Sequence, residues 1–473
     1  MYLDEYEHNH SDEGEGTSKC DKGDVAVEAM SESSEKNIAK QLAEDISAAF
    51  KSAGWFKIRS EDYSFPDNVS EDKVKDDSHE SITARVFGSP ETRSAQLDAV
   101  ANSLHPLANF RRRESWNNSF TSMVTALRMV GKNPLLSTLS VPTLQRLTDQ
   151  ISIPSWLPSL PPGVSSIESQ HPSGEWFYPT RTGLKIRQNA QPDSMKGRYI
   201  LYFHGGAFCC CHTGTHRGLL HGLVHQTGAS LLSVNYRRPP EHPFPTPVHD
   251  CLSAYLFILE KVGDSRQIFF AGDSAGGNLV INTLILVAQH GLPQPAGAVL
   301  LSPWVDLTDN GRCASWEEYG DVDYLSPDLA DIFAKSYAGD SQDVQNLSPL
   351  YSSELHLLPP LLVEFGQCEV LHDQILAFCK KAEEAGVDIK YQARADMVHV
   401  FPLYAFSGMQ QCQDAFDEIV AFFDKVTSDY GDDKCCTVSD SSDDSIVIVG
   451  IEQQRKVQTP DQGVNNDEAT SIV

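Results

Sequence analysis

Residues 268–277 read Ile268-Phe269-Phe270-Ala271-Gly272-Asp273-Ser274-Ala275-Gly276-Gly277, and a helical stretch follows from Asn278. The four apolar residues, two of them aromatic, predict a short buried strand. The next five residues are G-x-S-x-G, a serine flanked by glycines in the strand–turn–helix context that exposes a nucleophile. The glycines have a mechanical reason. A serine on so sharp a turn sits in strained backbone, and side chains two residues to either side would collide with neighbouring elements.

A serine hydroxyl is a weak nucleophile at neutral pH and needs a base, an orienting acid and donors for the developing oxyanion. Upstream, the strand-like run 199–203 ends in His204-Gly205-Gly206-Ala207-Phe208, where missing side chains let backbone N–H groups approach an oxyanion. The N–H groups of Gly205, Gly206 and Ala275 are the expected oxyanion hole. Downstream, the apolar run 361–365 leads into Gly366-Gln367-Cys368-Glu369-Val370-Leu371-His372-Asp373, and the run 389–393 is followed by Met397-Val398-His399. An acid after one strand and a histidine after the next give the order serine, acid, histidine. In that logic His399 takes the Ser274 proton and returns it to the leaving group, while Glu369 or Asp373 fixes its tautomer.

The texture around these motifs is α/β. From residue 196 onward, short β-branched and aromatic runs alternate with helical stretches, as in βα units on a mostly parallel sheet. Strands are expected at 199–203, 229–236, 267–271, 298–301, 361–365 and 389–393. Further upstream, Trp116, Phe120, Met123, Val124 and Leu127 share one helical face, residues 135–147 carry a second, weaker helical pattern, and a Pro-rich connector spans 154–162. There is no internal repeat of fixed period.

These motifs taken together resemble the hormone-sensitive-lipase-like branch of the α/β-hydrolase family. The matching residues are His204-Gly205-Gly206-Ala207-Phe208, the run from Tyr236-Arg237-Arg238-Pro239-Pro240 to Pro245, Gly272-Asp273-Ser274-Ala275-Gly276-Gly277, Ser302-Pro303-Trp304, residues 366–373, and His399. The resemblance covers roughly residues 196–424. It implies an α/β-hydrolase fold, a serine esterase or lipase-like activity on short- to medium-chain carboxylic esters through an acyl-enzyme, no cofactor, and a helical cap built partly from residues 114–147. Two positions depart from the family pattern. Ala207 stands where a third glycine is usual, and Glu369 stands where the acid is commonly Asp. Glu369 precedes His399 by 30 residues, a spacing like the family's, so the resemblance assigns Glu369 as the acid, with Asp373 as the alternative. A ligand-binding protein on the same scaffold, or an amide hydrolase using the same triad, are the competing functions.

Composition bounds the rest. With 37 Lys and Arg against 65 Asp and Glu, the net charge of −28 repels phosphate backbones and anionic membrane surfaces, so no nucleic-acid partner is expected. The start, Met1-Tyr2-Leu3-Asp4-Glu5, lacks a basic n-region and apolar h-region. The longest apolar run, near 279–288, is too short for a transmembrane segment. Eleven cysteines without zinc-site spacing suit reduced thiols in a cytoplasmic enzyme. The expected organisation is a mostly disordered acidic segment 1–95, a helical cap region and connector 96–165, a catalytic domain 166–427 and an acidic tail 428–473. Within the first, Ile38, Leu42, Ile46 and Phe50 predict a short amphipathic helix. The serine-rich acidic termini read as solubilising tails, with regulation or a protein partner as the sharper reading, and oligomeric state is not legible.

Other residues have plainer explanations. His212, His216, His221 and His225 resemble a metal face, yet they follow the oxyanion turn on an expected surface helix with no acidic ligand among them, so no metal is assigned. Cys209, Cys210 and Cys211 shape the pocket or pack as small residues. Trp304 lines the acyl site or belongs, like Asp306, to loop structure. Arg111-Arg112-Arg113 reads as a solvated helix start.

Overall fold

The computed structural model describes residues 110–152, 160–180, 197–308, 311–341 and 347–432. The chain divides into a large unit, Met1–Tyr430, and a second, Gly431–Val473, of which only the end of the last helix is described. The Ile38, Leu42, Ile46 and Phe50 helix, most of the Pro-rich connector and the acidic tail beyond residue 432 lie outside the described residues.

Among the described residues, eight strands form one sheet: β1 (Val164–Gln170), β2 (Ser173–Pro179), β3 (Tyr199–Phe203), β4 (Ser230–Val234), β5 (Ile268–Asp273), β6 (Gly297–Leu301), β7 (Leu361–Gly366) and β8 (Ile389–Arg394). Their order is β1-β2-β4-β3-β5-β6-β7-β8, with β1 and β2 antiparallel to their neighbours and the rest parallel. Strands β3 to β8 fall where the sequence predicts strands. The β1–β2 hairpin is additional. β1 is a polar edge strand, Val-Ser-Ser-Ile-Glu-Ser-Gln, with no residue fully buried, so it carries little hydrophobic signal. The aromatic run Trp176-Phe177-Tyr178 just after the His171-Pro172-Ser173 turn is the feature that could have revealed β2.

Parallel strands buried on both faces need helices on both. One face carries α3 (Thr213–Thr227) and α9 (Gln410–Asp432), whose Leu219, Leu223, Ile419 and Phe423 meet Ile200, Tyr202, Phe269 and Ala271 of β3 and β5. The alternate residues, Leu201, Phe203, Ile268 and Phe270, face α4 (Thr246–Val262), α5 (Ala275–Gln289) and α8 (His372–Glu384). The period-two alternation thus divides one core into two layers.

The remaining helices are α1 (Asn118–Gly131), α2 (Val141–Asp149), α6 (Ala314–Tyr319) and α7 (Pro327–Ala338). The Asn117 side chain caps α1 by accepting from Phe120 N at 2.8 Å. The predicted helix over 135–147 is split into a 3-10 turn at Leu136–Thr138 and α2. Pro142 is the cause: it has no N–H and fits only a first turn, so the helix has to begin at Val141. The three arginines 111–113 precede α1 by several residues rather than opening it, and Arg111 pairs with Asp321 at 3.2 Å.

Register positions the site. Phe203 lies opposite Gly272, Asp273 opposite Leu301, Leu301 opposite Glu364, and Gly366 opposite Arg394. The parallel strands therefore end along one edge, where open α/β sheets bind ligands. Phe270 lies between the Phe203 and Tyr255 rings, at centroid distances of 5.6 and 5.0 Å. Phe270→Ala is expected to cost about 3–5 kcal/mol through the cavity it leaves. Urea unfolding measures this, and a loss below about 1 kcal/mol would show that the core collapses around the deletion.

Candidate active site

Ser274 leaves β5 at φ 51, ψ −121 and α5 begins at the next residue. The turn is held from both sides: Ser274 N donates to Leu301 O and Trp304 N donates to Ser274 O, each at 2.9 Å. A Cβ on Gly276 would lie 2.0 Å from Phe203 O. The glycine lets α5 approach the end of β3, bringing the serine beside the loop that follows that strand.

His399 reaches this serine from the loop after β8, with Nε2 at 2.9 Å from Ser274 Oγ. Its Nδ1 faces Glu369 Oε1 at 3.4 Å. This contact is longer than the usual charge-assisted hydrogen bond. Glu369 is fully buried, and its other oxygen accepts from Ser302 Oγ at 2.6 Å and Gly366 N at 2.7 Å. Ser302 Oγ in turn accepts from Val400 N at 3.0 Å, tying the carboxylate to the histidine loop. Burial alone pulls the His399 pKa down. The hydrogen bond and charge of Glu369, aided by Asp323 and Asp273, outweigh it and hold the imidazole above its ordinary value. The carboxylate at Nδ1 favours the tautomer protonated there, which leaves Nε2 to accept from the serine. Asp373 is elsewhere: its Oδ2 accepts from Ser315 N at 3.0 Å, joining α8 to α6.

The oxyanion loop corrects one expectation. Gly205 N donates to Asp273 Oδ1 at 2.9 Å, so its N–H is committed to the floor of the loop and does not face the serine. Gly206 and Ala207 have no such partner for their N–H groups among the described residues. Ala207 sits at φ 52 and Gly206 at φ 107, where a Cβ would lie 2.2 Å from Cys210 O. The loop thus turns through left-handed backbone, and Gly206 and Ala207 line the same cavity as Ser274.

Asp273 anchors this loop. Besides Gly205 it accepts from Tyr202 Oη at 2.6 Å, and its Oδ2 lies 3.3 Å from His216 Nε2. Burial would raise its pKa, but His216, Tyr202 and the Gly205 N–H outweigh burial and lower it. Burial would lower that of His216, and Asp273 raises it instead. The helix of the four histidines is therefore not a surface helix: His216 and His221 are buried and His216 has an acidic neighbour. No group of three or more metal-ligating side chains occurs among the described residues.

Above the serine lies an apolar cavity of about 320 Å³. Part of its roof is the expected one: Leu127 and Val130 of α1 and Leu144 and Leu147 of α2 line it. A second part was not expected. Residues 311–341, between β6 and β7, contribute Tyr324, Leu325, Leu329 and Phe333. Cys210, Cys211 and Trp304 also line the cavity, whereas Asp306 caps its own loop by accepting from Thr308 N at 2.9 Å. Asp273 and Ser302 could have been suspected from their places beside Ser274 and at a strand end. Tyr324 and Phe333 carried no motif.

Comparison with known proteins gives the family. Residues 200–403 match the family model described as alpha/beta hydrolase fold. The chain is 34% identical over 245 residues to an acetyl-hydrolase of Streptomyces hygroscopicus, covering 52% of this chain and 77% of that one. It is 30% identical to an ethyl acetate hydrolase of Pseudomonas putida, covering 47% and 73%. The crystal structure of a hormone-sensitive lipase from a metagenome library superposes with a TM-score of 0.54 at 28% identity, covering 65% of this chain and 99% of that one. The chain belongs to the α/β-hydrolase-fold family. Within it, it falls in the hormone-sensitive-lipase-like branch and is a carboxylic ester hydrolase.

The geometry distinguishes the two acids. Glu369→Gln is expected to lower kcat by about 10³–10⁴-fold, as loss of an orienting carboxylate does. Asp373→Asn should weaken only the α6 contact, at about 1 kcal/mol of stability. Steady-state kinetics and thermal melts of both variants check this, and the reverse pattern would move the acid to Asp373.

Proposed function

We propose that this protein hydrolyses carboxylic esters with short- to medium-length apolar groups, with Ser274 as nucleophile, His399 as base and Glu369 as the orienting acid. The observation that carries the reading is the 2.9 Å contact between Ser274 Oγ and His399 Nε2 at the floor of an apolar cavity. Ser274 Oγ attacks the ester carbonyl carbon as its proton passes to His399 Nε2. The oxyanion is held by the N–H groups of Gly206, Ala207 and Ala275, which cost no reorganisation because the loop is already fixed by Asp273. Collapse expels the alcohol, which takes the proton from His399. Water, deprotonated by the same nitrogen, then attacks the acyl carbon, and collapse breaks the bond to Ser274 Oγ, which takes that proton back from His399 as the acid leaves.

The cavity supports the substrate class. At about 320 Å³ it lies at the low end of small-molecule pockets. Apart from Tyr324, the roof residues named above are Leu, Val and Phe, so the apolar group of an ester meets mostly apolar side chains. The described cysteines other than Cys313 are free thiols, which supports a reducing, cytoplasmic setting. Among those residues no helix is long and apolar enough to cross a membrane.

Hydrolysis of p-nitrophenyl esters from acetyl to palmitoyl tests the reading. Turnover should peak at short to medium chains and fall at least about a thousandfold in Ser274→Ala. Turnover that survives this substitution would end the nucleophile assignment. Leu147→Trp, which fills the roof, should cut octanoyl relative to acetyl turnover about tenfold, and an unchanged ratio would take the acyl chain out of this cavity. Catalysis needs neutral His399, whose pKa lies above its ordinary 6.5. Activity should therefore be lost as pH falls, with the midpoint of the acid limb of kcat/KM above pH 6.5.

A further inference from the structure

The segment between β6 and β7 does more than roof the cavity. Asp323, fully buried within it, receives three backbone N–H groups. Oδ2 accepts from Val370 at 2.9 Å, and Oδ1 accepts from Tyr324 at 2.8 Å and His399 at 3.4 Å. Val370 follows Glu369 directly, so one carboxylate joins the loop of the acid to the loop of the base. Tyr324 completes the arrangement: its hydroxyl donates to His399 O at 3.0 Å. Both backbone groups of His399 are therefore held by adjacent residues of the roof segment. The same segment is anchored from behind, where Arg128 of α1 donates to the Asp323 carbonyl.

We propose that Asp323 and Tyr324 are positioning residues for His399, through which the cavity roof sets the placement of the base. The proposal rests on the reading of His399 as the base. Tyr324 itself lines the cavity, and Leu325, Leu329 and Phe333 follow it along the same segment. A group filling the cavity presses on the segment that holds His399, so substrate fit and base alignment are mechanically linked. Neither residue touches the reacting atoms, and both act through the histidine backbone.

The charge of Asp323 adds a second effect. Burial pushes its carboxyl above the usual range, with His399 pulling it down and Glu369 pushing it further up. His399 in turn is faced by Glu369 from the loop after β7, Asp323 from the roof and Asp273 from β5. Arg128 of α1 and Lys132 just after it face Asp323 from behind, with Asp321 beside them, and Tyr404 faces it from the turn after His399. Removing the Asp323 charge takes one of three negative groups from around the imidazole.

The test compares Asp323→Asn and Tyr324→Phe with the parent enzyme on p-nitrophenyl butyrate. Asp323→Asn should lower kcat about tenfold to a hundredfold with KM nearly unchanged, and move the acid limb of the pH profile down by about one unit. Tyr324→Phe should lower kcat and leave the limb in place. A folded Asp323→Asn enzyme with parental kcat and limb overturns the proposal. Should Asp323→Asn fail to give a cooperative melt, Tyr324→Phe decides: reduced kcat at constant KM supports the proposal, and parental kinetics overturn it. The His399 imidazole is also titrated by NMR in the Ser274→Ala background, which needs no turnover. A lower pKa on adding Asp323→Asn supports the proposal and an unchanged one overturns it. Parent turnover that is insensitive to Ser274→Ala counts against the proposed function alone.

Discussion

The constraint on which the site depends is the backbone of one residue. Ser274 is held at φ 51, a region that costs a non-glycine residue about 1–3 kcal/mol and persists only where its surroundings over-determine it. They do so here through the sheet. Leu301 O and Trp304 N, both from β6 and its loop, clamp the serine backbone, and Gly276 admits the end of β3 against the start of α5. The clamp works because β3, β5 and β6 end in register. A one-residue slip would exchange the two layers of the core and carry Ser274 away from Leu301 O. The buried apolar layers that fix the register therefore also hold the strained serine.

The strained turn is then surrounded by polar groups that are buried and paired. Asp273 gathers Tyr202, Gly205 and His216. Glu369 gathers Ser302, Gly366 and His399. Below them Arg394 donates both Nε and Nη2 to Glu364 at 2.7 Å, and burial pushes the Glu364 carboxyl up to about 7 in spite of that pairing. A buried carboxylate with its donors in place does not have to reorganise during reaction, which is what electrostatic catalysis requires. Left with a missing donor, each would cost the fold several kcal/mol, because the unpaired charge stays buried. The fold and the site thus draw on the same hydrogen bonds, so a substitution at Asp273 or Ser302 would alter both.

Much of this was legible in the sequence, for physical reasons. The buried parallel strands announce themselves as apolar runs, and Gly276 and Gly206 mark two of the places where backbone must approach backbone. The order Ser274, Glu369, His399 then follows the strand ends. What stayed hidden had no local signal. β1 is polar because its outer edge faces solvent. Gly205 sits in the same glycine-rich turn as Gly206, and only the distance to Asp273 shows which N–H is already taken. His216 looked like a surface residue because helical spacing does not tell which face of α3 meets the sheet. Asp323 lies 76 residues from His399 in sequence, in a segment with no motif, so nothing short of its three backbone donors marks it.

The roof explains why chain-length preference is harder to read than chemistry. The reacting groups hang from strand ends whose positions the sheet fixes. The apolar lining comes instead mainly from two segments far apart in sequence, α1 with α2 and residues 311–341, which the fold brings together over the cavity. Leu144 and Leu147 pack with Phe333 and with Cys209 and Cys210 of the oxyanion loop. A change of volume at any of these is felt by the others, because packed interiors transmit strain rather than absorb it. The cavity is thus bounded on one side by the loop that bears the oxyanion donors and on another by the segment that holds His399. On the proposed function, an apolar chain in this cavity would have its binding energy expressed at the reacting carbonyl, where it raises kcat rather than merely lowering KM.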